Sequence, residues 1–234
     1  MAVKLTVYAG SSLLPQDMEK LRGTAGALGV DLALRPPIIR GDLLRTPTEG
    51  RWNNRTLILD GQFGQDLSVS VTEIREYLGR GLYLAGASSM GALRAVECRT
   101  LGMVQHGWVC EQYLTGRVEN DSEVALLMDP VTSEALTVPL VNVRWLLRQL
   151  GERGALDAEA TATALETARR VHYRARIPEA LANAFRRALP TGASDLLARQ
   201  LEPDTMPDWD RKRLDGIEAV ETELRALARF PAHA

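Results

Sequence analysis

The stretch LYLAGASSMGALRAVE at residues 82–97 joins a short apolar run to a helical pattern through a turn of small residues. The apolar run stops at Gly86, and two adjacent hydroxyl side chains, Ser88 and Ser89, precede the helical part. A buried strand that leads directly into a helix is typical of parallel α/β proteins, which carry their functional sites at the carboxyl ends of the strands. The stretch therefore predicts a parallel sheet and a functional site at this junction.

Three other β-favouring segments precede this stretch, and helical patterns follow the first and the third of them. Strands that alternate with helices at this spacing predict βαβ units and a parallel sheet. We therefore expect an α/β fold with a Rossmann-like parallel sheet and flanking helices. The predicted strands are residues 4–8, 30–34, 56–60 and 82–85, and the clearest predicted helix among them is residues 70–80.

The strand pattern fades after residue 100, and the chain from Pro139 onward is mostly helical. Before that point, residues 124–128 and 134–138 have the pattern of a β-hairpin around Asp129-Pro130. The predicted later helices are residues 139–150, 157–173, 178–188, 193–200 and 208–229. The two parts are an α/β core domain at residues 1–135 and a mainly helical C-terminal region at residues 136–234.

Composition argues against several classes of partner and cofactor. The 234 residues carry a formal net charge of -2, so the chain lacks the basic field that holds nucleic acid. No apolar run approaches the length of a membrane span, and the first ten residues do not read as a signal peptide. Cys98 and Cys110 are too few for a disulfide scaffold or a zinc site, which fits a reduced, cytoplasmic setting. The acidic run ENDSE at residues 119–123 has no histidine and no regular ligand spacing, so we expect no metal. No Walker or G-x-G-x-x-G motif is present, so we expect no nucleotide cofactor.

The serine junction allows three interpretations. Residues 87–91, ASSMG, match the small-x-Ser-x-Gly pattern of a nucleophile elbow with Ser89 at its centre. In that geometry the N–H group of Met90 faces the developing oxyanion, and the helix start adds positive potential. Alternatively, Ser88 or Ser89 is a helix N-cap, or the turn is a cradle of N–H groups for an anion.

Small or polar residues end three of the predicted strands, namely Gly10-Ser11-Ser12, Asp60-Gly61 and the serine junction. Because parallel strands end at the same edge of a sheet, we expect Gly10, Asp60 and Ser89 to lie together there. A serine nucleophile needs a base. The chain has three histidines, which we place in a loop-like stretch, in a late helix and in the C-terminal tail, so carboxylates are the more available acid or base groups. These histidines are His106, His172 and His233, and the carboxylates are Asp60, Glu97, Asp121 and Glu123.

Arg94 and Glu97 can meet because they are three residues apart on one face of the predicted helix. This pair is either a surface ion pair or an arginine held ready for a carboxylate, a thiocarboxylate or a phosphate. Cys98 follows Glu97 inside the helix, where nothing lowers the pKa of its thiol, so we interpret it as a buried and inert thiol.

Five segments of the chain resemble the TfuA-like family: LDGQF, GASSMGALRAVE, LGM, DSEVAL and VNVR. The resemblance covers roughly residues 55–145 and is densest at 84–103. It implies a partner of YcaO proteins, which use ATP to phosphorylate a backbone amide oxygen before a sulfur nucleophile displaces it and leaves a thioamide. It further implies that the protein stimulates YcaO and releases sulfide by hydrolysing the C-terminal thiocarboxylate of a ubiquitin-like sulfur carrier. The implied targets are ribosomally made natural-product precursor peptides, so a precursor peptide is an optional third partner.

The motif residues of the family carry over to named positions, with two departures. Val71-Thr72 stands where the family often has a histidine before Glu73-Ile74, and Ser122 interrupts a run that is usually acidic. The residues that carry over are Asp60, Gly61, Ser88, Ser89, Met90, Gly91, Arg94, Glu97, Gly102, Met103, Asp121, Glu123, Asn142 and Arg144.

Residue chemistry and resemblance together predict a thiocarboxylate hydrolase in which Ser89 attacks or orients water and Ser88 shapes the turn. Arg94 then holds the anionic end of the carrier. The catalytic set is Ser89, Arg94, Asp60 and Glu97, and the substrate-binding set is Ser88, Met90, Gly91, Gly61, Glu123 and Arg144. The alternative function is a non-catalytic adaptor that docks carrier or peptide on YcaO, with Ser89 and Arg94 forming only a binding pocket.

Overall fold

A five-stranded, fully parallel sheet is the centre of the computed structural model, which describes residues 3–45, 54–62, 64, 66–129, 131–132 and 134–229. The strand order is β2-β1-β3-β4-β5, and every neighbouring pair is parallel. The predicted α/β fold with flanking helices and a helical C-terminal part is therefore confirmed. The strands are β1 (Val3–Tyr8), β2 (Val30–Arg35), β3 (Asn54–Ile58), β4 (Tyr83–Gly86) and β5 (Val104–Gln105).

Helices connect and flank the strands and make up most of the later chain. They are α1 (Pro15–Ala27), α2 (Val71–Gly79), α3 (Met90–Glu97), α4 (Gly107–Leu114), α5 (Leu140–Glu152), α6 (Ala158–Arg170), α7 (Pro178–Ala188), α8 (Thr191–Gln200), α9 (Met206–Trp209) and α10 (Arg211–Ala228). The segment predicted as one helix at 208–229 is divided at Asp210, whose backbone is extended (φ -63°, ψ 92°). Strand β5 was not predicted, because two residues are too few to show an alternating pattern.

The chain divides into two compact units, and the first of them is discontinuous in sequence. It combines Met1–Glu119 with Lys212–Ala234, so it contains both the sheet and α10. Alternate residues of β1 are buried on one face of the sheet, and α10 covers that face. The shared core includes Leu5, Val7, Leu57, Leu59, Ala85, Ala219, Val220, Leu224 and Leu227.

The second unit, Asn120–Arg211, has a helical core of its own. Phe185, Leu147 and Leu181 are at most 2% exposed, and they belong to one cluster of buried apolar side chains drawn from α5, α6, α7 and α8. The predicted hairpin is reduced to a single antiparallel bridge between Met128 and Ala135, and Pro130 lies outside the described residues. The predicted domain boundary after residue 135 stays a prediction. No helix in the described part of the chain is long and apolar enough to cross a membrane.

Candidate active site

Two glycines bring the start of α3 directly onto β3 and β4. A Cβ atom on Gly91 would clash with the carbonyl group of Ile58, and a Cβ atom on Gly86 would clash with the carbonyl group of Gly91. The N–H of Gly91 donates to the oxygen of Leu59 at 3.1 Å, and the N–H of Ala87 donates to the oxygen of Ile58 at 3.1 Å. Because glycine alone has no Cβ atom, this close approach explains why a glycine stands on each side of the two serines.

A strained turn at Ser88 joins β4 to α3. The φ angle of Ser88 is 68°, and among the described residues no other non-glycine residue has a positive φ. The N–H of Ser89 donates to the oxygen of Ala87 at 2.8 Å, which closes a γ-turn around Ser88. A γ-turn with a positive central φ is rare and strained, and such strain is found most often at functional sites. The strained residue is therefore Ser88, one position before the centre of the elbow pattern.

A chain of buried hydrogen bonds links Ser88 to Asp60 through Ser12. The Oγ of Ser88 donates to the Oγ of Ser12 at 2.6 Å, and the Oγ of Ser12 donates to Oδ1 of Asp60 at 2.8 Å. The other carboxylate oxygen, Oδ2, accepts the N–H groups of Gly10 at 2.7 Å and Ser12 at 2.9 Å. Ser12 and Ser88 are fully buried, and Asp60 is 5% exposed. The loops that follow β1, β3 and β4 are thus tied together at the carboxyl edge of the sheet.

Ser89 is the N-cap residue of α3, but its side chain makes no capping hydrogen bond. Within the described part of the chain, neither the hydroxyl of Ser89 nor the N–H of Met90 has a hydrogen-bond partner. A hydroxyl beside an unpaired N–H at a helix start suits an oxyanion or a bound anion, because the helix dipole adds positive potential there. The side-chain capping interpretation of Ser89 therefore has no hydrogen bond to support it.

Arg94 lies one turn into α3 and is held in place from two sides. Its Nε donates to the carbonyl oxygen of Val69 at 3.0 Å, and its Nη1 pairs with Oε2 of Glu97 at 2.5 Å. The side chain is 19% exposed, and its Nη2 makes no hydrogen bond among the residues that the structure describes. The predicted pairing of Arg94 with Glu97 is present. The Nη2 edge of the guanidinium group can therefore donate to a further group.

Met90 and Gly61 are also in close contact at this end of the sheet. A Cβ atom on Gly61 would lie 2.5 Å from Sδ of Met90, whose side chain is 1% exposed. Gly61 bridges to Ile38, in the loop after β2. The buried sulfur of Met90 thus fills the space that the missing side chain of Gly61 leaves.

The predicted site residues fall into two sets, one in each unit. The second unit holds Glu123 and Arg144, which form a two-pronged ion pair at 2.9 Å (Nε to Oε2) and 2.7 Å (Nη2 to Oε1). Asn142 donates from Nδ2 to Oδ1 of Asp210 at 2.7 Å, so the side chains of Asn142 and Arg144 have separate partners. The first unit holds Asp60, Gly61, Ser88, Ser89, Met90, Gly91, Arg94 and Glu97.

The side chain of His106, which directly follows β5, belongs to a part-buried network around Glu223, although its N–H donates to the oxygen of Gly86 at 3.0 Å. Its Nε2 lies 2.7 Å from Oε1 of Glu223, which also accepts the hydroxyl of Tyr83 at 2.6 Å, while Oε2 accepts Nη1 of Arg55 at 2.7 Å. Burial raises the pKa of Glu223, but the hydrogen bonds from His106, Tyr83 and Arg55 outweigh it and hold that pKa below its usual value. His172 lies in the second unit, and His233 lies outside the described residues.

Both cysteines are free thiols and both are buried. Burial, followed by the charge of Glu97, raises the pKa of the Cys98 thiol. Burial raises the pKa of the Cys110 thiol to about 12. Since a thiol reacts as its thiolate, neither position favours sulfur chemistry. Among the described residues, no group of three or more His, Cys, Asp or Glu side chains is arranged to hold a metal ion.

Ser12 is the residue of this site that the sequence analysis did not single out. Its signal was present, because Gly10-Ser11-Ser12 is one of the three small or polar strand ends. What the sequence does not show is that Ser12 lies between Asp60 and Ser88, which are 48 and 76 residues away along the chain.

A family model described as TfuA-like protein matches residues 60–177, which is half of the chain. The matched range includes both the serine junction and the Glu123–Arg144 pair. No curated protein matches the chain.

Proposed function

We propose, from the premise that this chain belongs to the TfuA-like family, that it releases sulfide by hydrolysing the C-terminal thiocarboxylate of a ubiquitin-like sulfur carrier. At the level of the family, the protein has a role in YcaO-associated thioamidation and has a YcaO protein as its partner. Sulfide set free in this way is the nucleophile that the YcaO partner consumes when it converts a backbone amide of a precursor peptide into a thioamide.

The observation that carries the proposal is a pair of groups at the start of α3, the Ser89 hydroxyl and the Met90 N–H, which have no hydrogen-bond partner among the described residues. In the proposed reaction, Ser89 attacks the thiocarboxylate carbon or orients the water that does. A carbon–oxygen bond forms and the carbon–sulfur bond breaks, so that thiocarboxylate and water give carboxylate, HS⁻ and one proton, which leaves to solvent. If Ser89 attacks, the proton that its hydroxyl loses is restored when water hydrolyses the acyl-serine ester. The Met90 N–H stabilises the oxyanion, as backbone donors do in acyl transfer.

Arg94 binds the anionic end of the carrier in this proposal. Its Nη2 makes no hydrogen bond among the described residues, and Val69 and Glu97 fix the plane of the guanidinium. A fixed guanidinium can make a two-pronged contact with a carboxylate or a thiocarboxylate. The γ-turn at Ser88 sets the direction of the Ser89 hydroxyl and the Met90 N–H. Gly61 and Gly91 support this geometry through packing, because Met90 and the Ile58 carbonyl group fill the space beside them.

Glu123 and Arg144 enter the proposal as further substrate contacts only through the family motif. Each is the other's ion-pair partner in the second unit, with side chains 8% and 20% exposed. Because the two charges neutralise each other, the pair fixes the Arg144 side chain in place and adds no net charge to this surface.

A second candidate function, a non-catalytic adaptor, is favoured by the position of His106. This histidine is engaged by Glu223, so it does not provide the base of a Ser-His-Asp triad in the present arrangement. In the adaptor function, the Ser89 hydroxyl and Arg94 bind the carrier terminus and present it to YcaO without cleaving it.

Purified protein mixed with thiocarboxylated carrier, without YcaO, separates the two functions. The hydrolase releases sulfide and converts the carrier to its carboxylate form, which mass spectrometry detects as the replacement of one sulfur by one oxygen. The adaptor releases no sulfide, yet still stimulates thioamide formation by YcaO when sulfide is supplied externally. Carrier that already ends in a carboxylate is the blank for both assays.

A further inference from the structure

We infer that Ser12 is a positioning residue of this site, because its hydroxyl holds the strained turn at Ser88 against the carboxylate of Asp60. The inference rests on the proposed function for its effect on turnover, but its structural part stands independently of any reaction. By fixing the turn, Ser12 holds the Ser89 hydroxyl and the Met90 N–H in place. Asp60 contributes to the site indirectly, by binding Ser12.

Ser12 is identified as the positioning residue by its hydrogen bonds to Ser88 and Asp60. Its hydroxyl accepts one hydrogen bond, from Ser88 at 2.6 Å, and donates another, to Asp60 at 2.8 Å. Its N–H also donates to the same carboxylate at 2.9 Å. A residue held at two points by a buried carboxylate has little freedom to move. Its oxygen is therefore a fixed point to which the Ser88 side chain is attached.

The turn at Ser88 needs such an attachment. A non-glycine residue at a φ of 68° is strained, and strain of this kind persists only where the surroundings determine the conformation. The glycine contacts fix the two ends of the turn, because Gly86 and Gly91 lie against backbone carbonyl groups. Between those ends, the Ser88 side chain makes one hydrogen bond to the residues that the structure describes, and it is the bond to Ser12.

The γ-turn also sets the direction of the Ser89 hydroxyl and the Met90 N–H. The Ser89 N–H is used to close the turn, at 2.8 Å from the oxygen of Ala87. If Ser88 relaxed to a negative φ, that hydrogen bond would break, and the Ser89 hydroxyl and the Met90 N–H would point elsewhere. Misplacement of reacting groups by about 1 Å costs up to roughly 100-fold in rate. Ser12 is thus expected to matter for turnover rather than for carrier affinity.

The first test compares Ser12→Ala with a control that removes a different buried hydroxyl. Thr56→Val serves as the control, because Oγ1 of Thr56 and the hydroxyl of Tyr77 make a buried hydrogen bond of 2.8 Å in the same sheet, separate from the serine chain. We expect Ser12→Ala to lower kcat by roughly 10- to 100-fold with KM changed less than about twofold. Thr56→Val should lower the melting temperature similarly and leave kcat unchanged. If both variants lose kcat to the same extent, Ser12 contributes only to stability and the inference is overturned.

The second test is a double-mutant cycle with Ser88→Gly. Glycine adopts a positive φ without strain, so a glycine at this position needs no anchor. We expect Ser12→Ala to have much less effect on kcat in the Ser88→Gly background than in the wild-type background. If the two effects simply multiply, Ser12 does not act through Ser88. If Ser88→Gly alone abolishes turnover while Ser89→Ala does not, Ser88 is itself the attacking group. Either result overturns the positioning role.

Hydrogen exchange provides the readout that does not depend on catalysis. In Ser12→Ala the amide of Ser89 should exchange faster than in the wild type, since its bond to Ala87 depends on the turn, while the amide of Ser89 in Thr56→Val should not change. Unchanged exchange at Ser89 in Ser12→Ala overturns the inference. If the Ser89 amide exchanges faster in Ser12→Ala, the inference about the turn stands. If the wild-type protein also releases no sulfide, the proposed hydrolase activity is wrong while the inference about the turn still stands.

Discussion

The backbone of Gly91 lies directly against the carbonyl group of Ile58, with no room for a Cβ atom between them. This contact places the first turn of α3 on the end of β3, where the loop that carries Asp60 begins. It brings together a helix start and a carboxylate that are separated by about thirty residues of chain. A substitution at Gly91 therefore acts on the backbone framework of the site and not on its side chains.

We expect Gly91→Ala to destabilise the protein by ~1–3 kcal/mol, because the new methyl group can fit only if α3 moves away from β3. Urea unfolding measures the change. Gly23→Ala in α1 is the matched control, since a Cβ atom at Gly23 meets nothing within 4 Å. That control should gain ~0.5–1 kcal/mol from the better helix propensity of alanine. Equal stability of Gly91→Ala and the wild type would show that α3 is not in contact with β3.

Ser89→Ala should abolish sulfide release and leave the fold intact. Its hydroxyl makes no capping hydrogen bond, so its removal should cost less than ~1 kcal/mol of stability. Sulfide release and the melting temperature are to be measured on the same preparation. A variant that melts normally and hydrolyses the thiocarboxylate at the wild-type rate would remove Ser89 from the reaction.

Arg94→Lys should slow sulfide release roughly 10- to 100-fold, which corresponds to the loss of a charge-assisted contact of ~1.5–3 kcal/mol. An ammonium group keeps the charge but cannot reproduce the planar contacts that Nε and Nη1 make with Val69 and Glu97. Binding to YcaO should be unchanged. Thioamide formation with externally supplied sulfide is the companion assay, and an equal loss there together with lost YcaO binding would place Arg94 on a docking surface.

The stability of the sheet unit should fall in acid because of Glu223. Its pKa is lowered from the ordinary value of 4.5, so its ionised form is stabilised by folding. The contribution of Glu223 to the free energy of unfolding is fully present above the unfolded-state pKa of 4.5. It is lost as the pH falls through the lower pKa that Glu223 has in the folded protein. Glu223→Gln should cost ~3–5 kcal/mol at neutral pH, because Arg55 loses its buried carboxylate, and stability should then vary less with pH in acid. Parallel stability–pH curves for variant and wild type would contradict this role.

Local patterns in the sequence predict a large part of this architecture. The four longer strands are β-favouring segments, and three of them end in small or polar residues. The Arg94–Glu97 pair follows from the spacing of these two residues on a helix. The position of the strained residue does not follow, because the elbow pattern is centred on Ser89, whereas the folded backbone gives the positive φ to Ser88. Ser12 could not be assigned either, since its partners reach it only through the strand order β1-β3-β4. The periodicity that predicts α10 likewise does not show which core the helix covers.

The position of α10 in the sequence also has a consequence for how the protein is made. Its apolar residues Ala219, Val220 and Leu224 pack on a sheet whose last strand ends at Gln105, more than a hundred residues earlier in synthesis. While the ribosome makes the intervening Asn120–Arg211 segment, which is contiguous and has its own core, the apolar residues of the sheet that α10 will cover stay exposed. The helical unit can therefore complete its folding first, and the nascent sheet is the part most exposed to aggregation until α10 emerges.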